Sequence, residues 1–257
     1  MVVTNLMKLE ISMNNTNFEK RNMKFMNKMK KDKLFKKLTN SWIAESFKNE
    51  YSYHFKWLGV PIIQYPQDII AYQEIICKVK PDLIIEIGIA RGGSLIFSAS
   101  MLQLIGKGSV VGVDIDIRKE NKAIILKHPL YKRIKMIEGS SIDKTVISKV
   151  NKIAKNKKNI LVILDSNHTH EHVLAELNAY SKLVKKGSYV IVFDTRIADI
   201  PDKYSKKLMN GNWDKKNNPK TAVHQFIKEN KRFKIDYDIE NKLLITVAPD
   251  GFLKCIK

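Results

Sequence analysis

Pro81-Asp82-Leu83-Ile84-Ile85-Glu86-Ile87-Gly88-Ile89-Ala90-Arg91-Gly92-Gly93-Ser94 is the stretch whose reading decides the fold. Leu83–Ile87 reads as a strand buried on both faces, with Glu86 its one charged interruption. Gly88, Gly92 and Gly93 make a tight turn in which the backbone can bend sharply and approach a ligand closely. Ser94 opens a run to Ile105 that reads as a helix. Strand, glycine turn and helix N-terminus form the arrangement by which α/β folds hold nucleosides and dinucleotides. The glycines run G-x-x-x-G-G, which is not the dinucleotide spacing, and Glu86 stands two places before the first. A carboxylate at the carboxyl end of a buried strand suits a cationic amino-acid moiety better than a pyrophosphate. That chemistry points to S-adenosylmethionine (SAM).

Outward from this stretch the chain alternates. Gln67 to Lys78 predicts a helix feeding the first strand. Downstream, strands are predicted at Ser109–Asp114, Ile134–Glu138, Ile160–Asp165 and Ser188–Asp194. Helices are predicted between them, at Lys119–Lys127 (closed by Pro129), Ile142–Lys155 and His168–Lys185 (ended by Gly187). Repeated strand-then-helix units predict a parallel sheet with helices on both faces. The tail differs: a polar loop, Asp199–Lys220, carries Trp213, and a short helix, Thr221–Asn230, follows. Two adjacent strand-like runs, Phe233–Ile239 and Leu243–Ala248, predict an antiparallel hairpin at the sheet edge. The fold class is therefore α/β, a Rossmann-like, doubly wound, mostly parallel seven-stranded sheet with an antiparallel C-terminal strand. This is the architecture of class I SAM-dependent methyltransferases.

At 257 residues the chain has room for one large α/β domain and an extension. The formal net charge is +20, carried mostly by lysine mixed with asparagine and isoleucine. Lysine on solvated faces needs no partner, whereas nucleic-acid sites cluster arginine with aromatics, so no nucleic-acid partner is expected. The charge keeps an RNA methyltransferase open as the alternative. No run of about 18 apolar residues is present, so no transmembrane segment is expected, and the N-terminus does not read as a secretory signal. Cys77 and Cys255 lack metal spacing and read as reduced thiols, giving a cytoplasmic expectation. Residues 1–40 form a basic Met/Asn/Lys-rich extension containing Lys28-Met29-Lys30-Lys31-Asp32-Lys33. Its apolar positions from Phe18 to Phe35 leave weak membrane-surface contact open. Residues 41–80 are dense in aromatics (Trp42, Phe47, Tyr51, Tyr53, Phe55, Trp57, Tyr65) and read as core packing or a cover near the mouth of the site. Residues 81–257 are the expected SAM-binding domain.

Ligands of open α/β sheets sit beyond the carboxyl ends of the strands. The groups predicted there are Glu86, Asp114, Ser141, Asp165 and Asp194. Asp114 can accept both hydroxyls of a ribose, and Ser141 can bond an adenine edge. Asp165 and Asp194, ending neighbouring strands, can converge on Mg²⁺. His168, at a helix start, or Asp165 can act as general base. Against these stand structural readings: an Asp at a strand end before a helix, such as Asp165 or Asp143, is commonly an N-cap. His168, His170 and His172 alternate along a helix, which scatters them around the cylinder and argues against a three-histidine metal site.

The chain resembles the cephalosporin-hydroxylase-type family of SAM-dependent O-methyltransferases and, more distantly, catechol O-methyltransferase. The likeness runs from about Trp57 to Lys254. It rests on Trp57-Leu58-Gly59-Val60-Pro61, Gln64-Tyr65-Pro66, Pro81 to Glu86, Gly92-Gly93-Ser94 and Gly112-Val113-Asp114. It continues in Glu138-Gly139-Ser140-Ser141, Leu164-Asp165-Ser166-Asn167-His168 and Pro249-Asp250-Gly251-Phe252-Leu253-Lys254. The resemblance implies that Glu86, Gly88, Gly92, Gly93 and Ser94 hold the methionine part of SAM, Asp114 the ribose and Ser141 the adenine side. It implies Asp165 as the first metal ligand, a hydroxyl of a sugar, glycan or secondary metabolite as acceptor, and a homo-oligomer. Two positions depart from the family pattern. Phe193-Asp194 stands where two consecutive metal-binding groups are usual, and Asn167 where a second acid is usual. A Mg²⁺ site of Asp165, Asp194 and Asn167 is thinned, and Phe193 keeps open a non-catalytic partner subunit of the same fold.

Overall fold

The structure, a computed structural model, describes residues 16–200 and 213–257. Two helices lead in, α1 (Thr16–Lys31) and α2 (Lys33–Lys48). They part at Asp32, whose carboxylate caps α2 by accepting the Phe35 N–H at 2.9 Å. A small antiparallel ribbon follows, β1 (Phe55–Trp57) against β2 (Val60–Ile62). Next comes α3 (Pro66–Val79), whose first-turn proline occupies a position where no N–H is needed.

From β3 (Leu83–Ile87) the chain alternates: α4 (Gly93–Ile105), β4 (Ser109–Asp114), α5 (Lys119–Lys127), β5 (Ile134–Glu138), α6 (Lys144–Ala154), β6 (Ile160–Leu164), α7 (His170–Tyr180) and β7 (Tyr189–Val192). After α8 (Pro219–Glu229) come β8 (Phe233–Ile235), α9 (Tyr237–Leu243) and β9 (Phe252–Cys255). The sheet order is β5-β4-β3-β6-β7-β9-β8, with β5 to β7 parallel and β9 antiparallel to both its neighbours. This is the doubly wound class I methyltransferase sheet that the alternation predicts. The chain leaves β3 in one direction for β4 and β5 and returns on its other side as β6, so the crevice opens at the carboxyl ends of β3 and β6.

The pleat of β3 divides the core. Ile84 packs with Tyr72 and Ile76 of α3 and with Leu95 and Phe97 of α4. Leu83, Ile85 and Ile87 pack with Val146 of α6, Leu177 of α7 and Phe226 of α8. Glu86 therefore points into the α3–α4 layer, where Ser94 and Ser98 donate to its carboxylate and Tyr72 bonds Ser98 at 2.7 Å. On the same face, the fully buried Asp68 of α3 accepts the Thr246 hydroxyl and, at 2.9 Å, the Val247 N–H. Burial lifts both carboxyls to about 7 against the opposing pull of these hydrogen bonds.

The tail corrects the expected hairpin. Only Phe233–Ile235 of the first run is strand, and its partner is β9, while Tyr237–Leu243 is helical. Ile239 and Leu243 stand four apart, a spacing in phase with both strand alternation and one helix face; both pack on the core from α9. Leu244 (φ 58°) ends that helix. Thr246 and Val247 then spend their hydrogen bonds on Asp68 and on Arg196 rather than on a strand. The predicted helix His168–Lys185 is shorter, beginning at His170, so that His168 lies in the turn before it. Asp143 is the N-cap of α6, as its structural reading expects. Residues 201–212 of the loop Asp199–Lys220 and residues 1–15 of the basic extension lie outside the described residues.

Glu86 and Asp68 bind a proton more tightly folded than unfolded, so stability falls as pH rises through about 7. In a thermal melt series from pH 5 to pH 8, Glu86→Gln is expected to lose less melting temperature with rising pH than the wild type. An unchanged slope would remove Glu86 as a source of that dependence.

Candidate active site

The backbones of two strand ends touch at the crevice. Gly88 (φ 99°) bonds the Val113 carbonyl through its N–H, and a Cβ built on it would lie 2.0 Å from the carbonyl oxygen of Asp165. Only a residue without a side chain lets the β3 and β6 ends approach so closely. Asp114, at the end of β4, then fastens the glycine turn: its Oδ2 accepts the Ile89 N–H at 2.8 Å and the Ala90 N–H at 3.3 Å. Gly93 fits against the carbonyl of Pro61, which a Cβ would meet at 2.2 Å, and so brings the ribbon of β1 and β2 onto α4.

A first cavity of about 320 Å³ opens beside this turn, lined by Gly88, Ala90, Asp114, Ser140, Ser141, Asp165, Ser166 and His172 among others. Its floor is organised by Glu176 of α7, fully buried, whose Oε1 accepts Ser141 Oγ at 2.5 Å and Ser166 Oγ at 2.6 Å and pairs with His172 Nε2 at 3.1 Å. Three elements are thereby tied to one carboxylate. Of the predicted cofactor residues, Gly88, Asp114, Ser141 and Asp165 line this cavity. Glu86, Gly92, Gly93 and Ser94 do not; Ser94 is turned back onto Glu86, and the pair braces the wall from behind.

A second cavity of about 390 Å³ adjoins the first and shares Ala90, Asp165 and Ser166 with it. Its other walls are aromatic and come from the 41–80 segment and the tail: Phe47, Tyr51, Tyr53, Tyr65 and Trp213. Gln64 lines it too, donating its amide Nε2 to Asp165 Oδ2 at 3.0 Å. His168 and Asp194 complete the cluster, His168 Nε2 lying 3.0 Å from Asp194 Oδ2. One ligand atom from each of Asp165, His168 and Asp194 lies within 4.8 Å of the others, an arrangement able to hold a metal ion.

The electrostatics follow from this crowding. Asp165 is pushed well above the carboxylate range by burial and then by the Asp194 charge. Burial works to lower His168, but the charge and hydrogen bond of Asp194, with Asp165 and Glu176 behind it, raise it to about 9. The imidazole, the expected general base, is thus paired with the Asp194 carboxylate.

Asn167 also lines the first cavity, with its side-chain oxygen accepting from the Thr169 N–H and hydroxyl at 2.9 and 2.7 Å. Phe193 is buried in the core at 4% exposure. The histidine trio is scattered: His170 bonds Thr221 and Gln225, His172 joins Ser141 and Glu176, and only His168 meets the carboxylates. Gln64, Ser166 and Tyr53 stood in stretches the sequence reading singled out but were given no individual role, and Glu176 was missed, its one signal being its place one helical turn after His172.

A family model described as Rhamnosyl O-methyltransferase/CmcI matches residues 49–256. The Rhamnosyl O-methyltransferase of Mycobacterium tuberculosis (strain ATCC 25618 / H37Rv) is 29% identical over 219 residues, 82% of this chain and 84% of that protein. That of Mycobacterium leprae (strain TN) is 30% identical over 166 residues, 62% of this chain and 70% of that protein. Among solved structures, CmcI with Mg and SAM has a TM-score of 0.55 at 17% identity, covering 80% of this chain and 78% of that one, a likeness of fold.

The Gly88 contact is open to a stability test. Gly88→Ala is expected to cost about 3 kcal/mol or more through backbone collision, whereas Gly187→Ala, also at positive φ (91°) but with nothing within 4 Å of a Cβ, costs about 1–2. Chemical denaturation of the two variants checks the difference, and equal losses would show that φ alone, not the approach of Asp165, requires glycine.

Proposed function

The chain belongs to the Rhamnosyl O-methyltransferase/CmcI family, and from that premise we propose that it is a SAM-dependent O-methyltransferase acting on a hydroxyl of a sugar-bearing acceptor. The observation that carries the proposal is the position of Asp165 on the wall common to the two cavities. A donor in the first and an acceptor in the second meet at this carboxylate.

Asp114 receives the ribose hydroxyls with the lone pairs left free by the turn, and Ser141 and His172 face the adenine side. When bound, SAM supplies an electrophilic methyl group and leaves as S-adenosylhomocysteine (SAH). Phe47, Tyr51, Tyr53 and Trp213 present flat apolar faces to an acceptor ring. Asp165 takes the proton of the acceptor hydroxyl as its oxygen bonds to carbon; burial and the Asp194 charge raise its affinity for that proton well above that of an ordinary carboxylate. Gln64 holds the carboxylate in place. Alignment of oxygen, methyl and sulfur supplies the rest. The donor set of Asp165, Asp194 and His168 fits a divalent cation, which would supply Lewis-acid chemistry that lowers the pKa of the acceptor hydroxyl.

In this reading residues 81–257 form the catalytic domain, 41–80 cover the acceptor cavity and 1–40 are an extension. The enzyme is a cytoplasmic homo-oligomer, and no helix among the described residues is long and apolar enough to cross a membrane.

Calorimetric titration with SAH and methyl-transfer assays on rhamnosylated acceptors test the proposal together. Asp165→Asn is expected to lower kcat by about a hundredfold or more. The wild-type rate rises with pH on an acid limb whose midpoint lies above the ordinary carboxylate range, because the carboxyl must be ionised to accept a proton. Absence of SAH binding by the wild type would defeat the assignment.

A further inference from the structure

We propose that Asp165, His168 and Asp194 form a mixed oxygen–nitrogen cation site that prefers a first-row transition ion of the Mn²⁺, Fe²⁺, Co²⁺, Zn²⁺ group over Mg²⁺. The inference deepens the methyl-transfer reading and rests on it for the use of the ion, not for its binding.

Mg²⁺ is served by oxygen donors, and here the oxygen set is incomplete. The position preceding Asp194 is Phe193, packed in the core, and the side-chain oxygen of Asn167 is committed to Thr169. The third donor within reach of both carboxylates is a ring nitrogen, His168 Nε2. Two donors bound at right angles to one ion at about 2.1 Å stand about 3 Å apart, and His168 Nε2 and Asp194 Oδ2 are separated by 3.0 Å. Imidazole nitrogen adds affinity for the later first-row ions and little for Mg²⁺, which takes oxygen and sheds water reluctantly.

Three further observations point to a ligand at this place. In a chain with 46 lysines and arginines, neither Asp165 nor Asp194 has a lysine or arginine ion-pair partner among the described residues. Two carboxylates that face each other without such a partner call for a cation. Gln64, 95% buried on the wall of the same cavity, uses Nε2 to hold Asp165 but has no hydrogen-bond partner for its Oε1. A water or hydroxyl on a bound cation is the donor such an oxygen lacks. The imidazole is braced by Trp213, edge to face at 5.7 Å, which fixes the ring.

The test uses the full chain, stripped of metal and titrated with Co²⁺ and with Mg²⁺ by calorimetry, the Co²⁺ arm followed also by its visible absorption. The wild type is expected to bind Co²⁺ at least about tenfold more tightly than Mg²⁺, and His168→Ala to lose about tenfold in Co²⁺ affinity while Mg²⁺ changes by less than about threefold. His168→Asn, which keeps a polar side chain of similar size, gives the same split, so a folding defect is separable from a lost ligand. Equal weakening of both ions in these variants, an unchanged Co²⁺ spectrum, or no divalent binding by the wild type would overturn the site. SAH titrated into the same samples keeps the two readings apart. Normal SAH binding with a flat metal titration overturns the cation site alone, whereas a Co²⁺ preference lost in His168→Ala upholds it even if SAH does not bind.

Discussion

The close contact between Gly88 and the Asp165 carbonyl is the constraint on which the site depends. Parallel strands run side by side at a spacing set by their hydrogen bonds, but here the chain must also turn away from β3 across the end of β6. With no Cβ at Gly88, the turn passes directly over Asp165, and the Asp165 N–H still reaches the Ile87 carbonyl at 2.8 Å. The consequence is geometric. Asp165 is placed at the edge of the glycine turn, with the first cavity on one side and the aromatic second cavity on the other.

A second theme is the use of buried acids as ties in a strongly basic protein. The lysines serve the surface, while Asp68, Glu86 and Glu176 are each below 2% exposed. Each joins segments that no backbone ladder connects. Asp68 links α3 to the extended run at Thr246–Val247, and Glu86 links β3 to the first turns of α4. Glu176 links α7 to the turns after β5 and β6. Buried charge is unfavourable unless hydrogen-bonded, and all three receive at least two donors or partners. The acids beside the cavities are different in kind: Asp165 and Asp194 line the second cavity together, with His168 Nε2 3.0 Å from Asp194 Oδ2.

The parallel sheet was legible in the sequence because continuous apolar runs bounded by glycine and proline have few other readings. Leu83–Ile87, Ser109–Asp114 and Ile134–Glu138 form with the expected bounds, and the family reached from the motifs is the family whose model matches. The tail was not legible, since Ile239 and Leu243 satisfy two periodicities at once and local pattern has no means of choosing. The strand-end rule placed Gly88, Asp114, Ser141 and Asp165 about one cavity, because chain direction alone sends every parallel strand's carboxyl end to the same edge.

The sequence by itself thus determined the order of elements, the doubly wound sheet and the edge at which chemistry sits, all consequences of hydrophobic period and turn residues. Which way a side chain points at that edge was decided only by tertiary packing. Glu86 turns inward because the pleat of β3 aims it at α4, where Ser94 donates to it, and Phe193 because it faces the core. Gln64 arrives at Asp165 across 101 positions of sequence, brought there by the Gly93–Pro61 contact that seats the N-terminal ribbon. The pKa of His168 is raised chiefly by Asp194, which neighbours it only in the folded chain, and no local pattern carries that information.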